Sequence, residues 1–254
     1  MAETSTSPSI AAIDGDEAFS FACHPQLGCF TQCCRMLELA LTPYDLLRLR
    51  RATGLSSSQL LHRYVIVEQD QGEPFPRLYL TMVDDGYGSC PFVSSSGCAV
   101  YAHRPGACRT YPLGRGTCLS ADKCLAERFV LIREEFCQGF SQHAKHTPRS
   151  YLEDQETCLY NRSNDRVATI LQHEAIRNGL IPTQSDNDLF LLLLYDLDTF
   201  RDKLQEGFLA ESGCPAADQR PETWSDEELL DYAIELLPNL IFPATKPTVA
   251  FQRG

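Results

Sequence analysis

The 254-residue chain lacks what several large classes of protein require. No lysine or arginine precedes Arg35, and the stretch from Met1 to Ser20 is mostly Ser, Thr, Ala and acidic residues, so the basic and apolar parts of a secretory signal are both missing. The longest apolar run, Leu189 to Tyr195, falls far short of the roughly 18 residues that cross a bilayer. Positive charge is scarce: 22 basic residues stand against 34 acidic ones, a net charge of -12, whereas a nucleic-acid surface needs clustered cations to neutralise phosphates. These absences lead to the expectation of a cytoplasmic protein with no membrane span and no nucleic-acid partner, whose acidity serves solubility. Reaction signatures are missing as well. There is no G-x-x-x-x-G-K-[ST], no G-x-G-x-x-G after a strand, no G-x-S-x-G and no H-E-x-x-H. The acidic runs Asp84-Asp85, Glu134-Glu135 and Asp226-Glu227-Glu228 read as solvated turns or helix ends.

What is present is cysteine. There are twelve, and ten of them lie between Cys23 and Cys137, leaving only Cys158 and Cys214 for the rest of the chain. A reducing cytosol makes disulfides rare, so metal binding or catalysis is the usual reason for such numbers. With 43% hydrophobic and 22% charged residues, the chain also has the composition to bury an ordinary core.

Residues 1–18 carry no apolar period and are expected to be a flexible leader. Thr42-Pro43-Tyr44-Asp45 predicts a helix start, with Thr42 as cap and Pro43 in the first turn; Gly54 ends that helix, and Ser56 or Ser57 opens a second one carrying Leu60, Leu61 and Tyr64. Val65 to Glu68 and Leu78 to Val83 predict a small antiparallel pair. From Asp84 to Thr117, Gly, Pro, Ser and Cys predict loop held by something other than an apolar core. Helices are predicted over 125–136, 148–161, 165–178, 187–204 and 226–237. The expected fold is mainly α (α+β): a helical protein with a short antiparallel strand pair and an irregular cysteine-rich, metal-bound layer. Residues 19–144 form the cysteine-cluster region, and residues 145–254 a helical C-terminal region packed on it.

The cysteines fall into two groups. Cys23, Cys29, Cys33 and Cys34 lie within twelve residues, and Cys90, Cys98 and Cys108 follow after the predicted helical hairpin. A thiophilic ion or an iron–sulfur cluster takes about four thiolates at roughly 2.3 Å, and close pairs joined by a distant pair supply them with little loop-closure cost. Gly28 and Gly97 precede Cys29 and Cys98, where they ease tight turns, and Pro91 stiffens the exit from Cys90. Arg35, Arg104, Arg109 and His103 stand beside candidate ligands, where they offset thiolate charge or serve as ordinary surface charge. Cys33 and Cys34 are neighbours whose side chains point in different directions, so they serve different ions or one of them only packs.

The order of Cys33-Cys34-Arg35, Leu41-Thr42-Pro43-Tyr44-Asp45, Cys90-Pro91-Phe92, Gly97-Cys98-Ala99-Val100-Tyr101, Arg104-Pro105, Cys108-Arg109-Thr110-Tyr111-Pro112 and Phe136-Cys137-Gln138-Gly139 resembles the YkgJ-type cysteine-cluster family. The resemblance covers residues 21 to 140. It implies a zinc- or iron-chelating domain, with Cys23, Cys29, Cys33, Cys34, Cys90, Cys98, Cys108 and Cys137 as the metal-binding set. The opening departs from the commoner Cys-x2-Cys-x2-Cys-Cys, with five residues between Cys23 and Cys29 and three between Cys29 and Cys33. Cys118 and Cys124 match no position of the pattern and read as reserve ligands or, by preference, small hydrophobes, while Cys158 and Cys214 read as free packed thiols. His24 is read as a non-ligand and His103 as a hydrogen-bond partner of the site; His62, His143, His146 and His173 read as surface or capping residues.

Two functions follow. The first is a metal-binding protein whose thiolates hold zinc, iron or an iron–sulfur cluster and brace the loop-rich segment. The second, implied by likeness to flagellin lysine methylases, is an iron–sulfur enzyme of redox or methyl-transfer chemistry.

Overall fold

A computed structural model describes residues 8–119, 125–207 and 223–242. In chain order the elements are β1 (Ser9–Ile13), β2 (Phe19–Ser20), α1 (Pro43–Thr53), α2 (Ser57–Tyr64), β3 (Val65–Glu68), β4 (Arg77–Leu80), β5 (Val93–Ser94), β6 (Gly97–Cys98), α3 (Gly106–Thr110), β7 (Leu113–Leu119), β8 (Leu125–Arg133), β9 (Lys145–His146), α4 (Pro148–Asp154), α5 (Cys158–Leu171), α6 (Glu174–Arg177), α7 (Gln184–Tyr195), α8 (Leu197–Gln205) and α9 (Asp226–Ile241). The expected mainly helical α+β class holds.

The helical hairpin is built by its ends. At α1, Thr42 and Asp45 form a reciprocal capping box, Pro43 occupies the first turn, and Gly54 closes the helix in a left-handed conformation. Ser56 and Gln59 repeat the device at α2. β3 then pairs antiparallel with β4, Val65 opposite Leu80, one to three residues from the predicted pair.

One large apolar core joins this hairpin to the later helices: Leu46, Leu47, Leu49 and Leu60 pack with Tyr160, Phe190, Leu193, Leu194, Phe200, Leu229 and Leu237. Burying a Leu or Phe side chain stabilises by about 1.5–3 kcal/mol, so this core holds both halves of the chain. Ion pairs staple its rim. Arg50 reaches Asp198 at 2.6 Å and also pairs with Asp226, and Arg201 meets Asp226 at 3.1 Å.

Several predicted elements give way to others. Residues 125–136, expected as helix, form strand β8, flanked by β1 and β7 in a three-stranded antiparallel sheet of order β1-β8-β7. Phe129 and Leu131 are buried in alternation with exposed Arg128, a period of two that the helical reading missed because Val130 and Ile132 are also apolar. Ser9–Ile13, inside the segment expected as a leader, is the edge strand of that sheet, with Ile13 buried opposite Phe129. This sheet, β2 and α4 enclose a second, smaller core of Ile13, Phe19, Phe21, Leu113, Phe129, Leu131, Tyr151 and Leu152. The predicted helix over 148–161 breaks at Gln155–Thr157, where Glu156 has φ 52. The span 187–204 breaks at Asp196, whose carboxylate accepts from the hydroxyls of Ser57 and Ser58. α9 runs through Pro238 to Ile241, one turn beyond the predicted end. Of the span 84–117 expected as loop, the part up to Pro112 is mostly irregular, interrupted by the β5–β6 pair and α3, but residues 113–117 belong to strand β7, paired with β8.

Candidate metal centre

The cysteine-bearing segments are brought together by backbone hydrogen bonds. Cys33 and Cys34 sit in a single 3-10 turn, Gln32–Cys34, whose flanking residues Thr31 (φ 67) and Met36 (φ 49) adopt left-handed conformations without being glycine. Such backbone costs about 1–2 kcal/mol per residue and is held by neighbours. The Met36 N–H donates to the Gly88 carbonyl at 2.8 Å, and the Cys90 N–H to the Cys34 carbonyl at 2.8 Å. Cys98 follows on β6, opposite Val93, after Gly97, whose φ of 118 requires glycine. Cys108 lies in α3, whose Gly106 N–H donates to the Asp45 carboxylate at 2.7 Å. Asp45 therefore caps α1 and anchors the cysteine helix through the same buried carboxyl group, a role with no sign in its sequence surroundings.

Cys33, Cys34, Cys90, Cys98 and Cys108 form one electrostatically coupled group. Cys33 and Cys34 share a hydrogen bond that lowers the Cys33 thiol and raises Cys34, and the charges of Cys33, Cys90 and Cys108 raise Cys34 further. Burial, then Cys90, Asp45, Cys33 and Cys98, pushes Cys108 up to about 12. Burial and the charges of Cys98 and Cys33 raise Cys90 as well. Cys108 keeps an accessible residue surface.

A second set lies beside it. Cys29 is buried, and its sulfur accepts the Gln138 N–H at 3.3 Å; the Gly28 N–H donates to Gln138 Oε1 at 3.1 Å. Gly28 thus serves by hydrogen bonding, and its φ is not among the positive values that mark a glycine turn. Burial and the charges of Cys33, Cys29 and Cys137 push Cys23 up to about 11. Tyr111 is raised far above its usual range, first by burial and then by the adjacent Cys137 thiol, and among the described residues its hydroxyl has no hydrogen-bond partner of good geometry. The half-buried His24 finds no partner for Nδ1 among the described residues.

Cations line the same surface. Arg104 (9% exposed) donates to the Tyr101 carbonyl at 2.8 Å and to Gln155 Oε1 at 2.7 Å, while Arg109 (6% exposed) donates to the carbonyls of Gln155 and Ala102. These two are buried groups rather than surface charge. Arg35 lies over the exposed Tyr87 ring. His103 accepts from Arg48 Nε at 3.1 Å, and burial together with Arg48, Arg51 and Arg109 lowers its pKa. His173 caps α6, accepting from the Ala175 N–H, whereas His146 is half-buried, packed edge-on against Tyr151. Cys118 is exposed on β7, opposite Ala126, and Cys158 is exposed at the start of α5; neither is the packed hydrophobe expected. Cys124 and Cys214 lie outside the described residues.

Soft thiolates are the donors that zinc, iron and iron–sulfur centres prefer, so the chemistry of the donor set fits such a group. Among the described residues, no three His, Cys, Asp or Glu side chains are arranged so as to hold an ion.

The arrangement is that of a cysteine-rich domain, in which loops carrying cysteines are sewn to one another by backbone hydrogen bonds. Residues 22–159 match the CxxCxxCC family, described as "Putative zinc- or iron-chelating domain", and the chain belongs to that family. No curated protein and no solved structure matches the chain. Among the described residues no helix is long and apolar enough to cross a membrane.

Proposed function

We propose that the protein binds zinc or iron through Cys23, Cys29, Cys33, Cys34, Cys90, Cys98, Cys108 and Cys137, and that the metal braces the irregular layer between β4 and β7. The observation that supports this reading is the seam joining the cysteine segments: the Cys90 N–H donates to the Cys34 carbonyl, the Val93 N–H donates to the Cys90 carbonyl, and Cys98 stands opposite Val93. Ionised without a cation, such thiolates repel one another in a partly desolvated place; a divalent ion replaces their protons and turns repulsion into bonding. When bound, the metal supplies cross-linking of the loops. Arg104 and Arg109 hold positive charge beside the anionic cluster, and Asp45 fixes the helix that carries Cys108.

The test is anaerobic purification followed by metal and acid-labile sulfide analysis with a visible absorption spectrum. Stoichiometric zinc or iron supports the reading, and sulfide with a brown chromophore assigns an iron–sulfur cluster. Protein that carries no metal and takes up none after reduction contradicts it.

A further inference from the structure

We infer that the cysteines build two metal centres, the second of them from Cys23, Cys29 and Cys137. This rests on the reading that the thiols bind metal, and it concerns how the backbone sorts them. Residues 34–36 are sewn to residues 88–90 by the Cys90-to-Cys34 and Met36-to-Gly88 hydrogen bonds and by the bridge between Arg35 and Ser89. Residues 21–29 are sewn to a different stretch: the Phe21 N–H donates to the Ala144 carbonyl at 2.9 Å, the Ala22 N–H to Gly139 at 3.1 Å, and the Gly28 N–H to the Gln138 side chain. Gly139 is needed at that seam, because a side chain there would run into the Phe21 ring.

The cysteines follow these seams: Cys29 Sγ accepts the N–H of Gln138, the neighbour of Cys137, and Cys23 follows Ala22 on the same seam, while Cys34 and Cys90 stand on the other. Eight thiols are also twice what one tetrahedral ion takes, and the adjacent Cys33 and Cys34 point in different directions. A peptide N–H aimed at Cys29 Sγ suits a thiolate ligand, as outer hydrogen bonds to metal-bound groups do.

The experiment is an anaerobic titration of reduced, metal-free full-length protein with Co2+, followed by thiolate-to-cobalt absorption, with alkylation of unprotected thiols mapped by mass spectrometry. Two equivalents are expected for the unaltered chain. C29S and C137S should each retain one equivalent with Cys34, Cys90, Cys98 and Cys108 protected; C98S should retain one with Cys23, Cys29 and Cys137 protected. A single equivalent protecting all eight thiols overturns the inference while leaving metal binding intact, as does loss of all cobalt from C29S and C98S alike with unchanged circular dichroism. Absence of cobalt uptake by the unaltered chain overturns both. The count and the protection map of the unaltered chain decide even where a variant fails to fold.

Discussion

The helical body and the cysteine layer are stabilised in different ways. In the body, α1, α2, α5, α7, α8 and α9 bury one continuous apolar core and carry capping boxes at α1, α2, α7 and α9. In the layer between residues 84 and 112, elements run two to five residues, and the apolar side chains buried there are Phe92, Val100, Pro105 and Pro112. Elements that short bury too little to offset the entropy of ordering the chain. The difference teaches that the body folds on its own packing, whereas the layer is the part that the proposed metal would brace.

That comparison can be broken experimentally, starting with the largest effect. Structural zinc contributes on the order of 10 kcal/mol in small cysteine domains, so chelation under reducing conditions should raise amide exchange of residues 88–110 by at least about tenfold while α7 and α9 stay protected. Equal loosening of both regions would remove the distinction. Next, F200A, which empties a fully buried site in the body, should cost about 3–5 kcal/mol in denaturant unfolding with metal content per folded molecule unchanged.

Asp45 joins the two regions, so D45A should act on both. Loss of a buried acceptor that serves Thr42 and Gly106 should cost about 1–3 kcal/mol and, unlike F200A, lower metal retention against a chelator. The smallest effect is on pH. Asp198 is partly buried, which raises its pKa, yet the Ser57 N–H and Arg50 outweigh this and hold it below the usual carboxylate range. The stability it contributes is complete above the unfolded-state value of about 3.9 and is lost as pH falls through the lower folded-state value. R50A should therefore flatten the acid limb of the stability curve, with a change within about 1 kcal/mol for so exposed a pair.

Much of this division was legible in the sequence. Thr42-Pro43, Gly54 and Ser56 mark helix ends by local chemistry alone, and they fall where the structure has them. β8 was not legible as a strand, because Leu125-Ala126-Glu127-Arg128-Phe129-Val130 suits either period until β1 and β7 pair with both of its edges. β1 was hidden for the same reason: its burial is confined to Ile13, and its partner lies over a hundred residues away. At the cluster, the cysteine groups were visible from spacing, whereas Asp45, Gln138 and Tyr111 reach the site through tertiary contacts that no local pattern announces. Arg104 and Arg109 were open between countercharge and surface; burial places them inside.

The most direct test of the central claim is X-ray absorption at the metal edge of the protein as purified without oxygen. Metal binding by the cluster predicts a first shell dominated by sulfur, about four neighbours at roughly 2.3 Å for zinc. A shell made only of oxygen and nitrogen neighbours would contradict it.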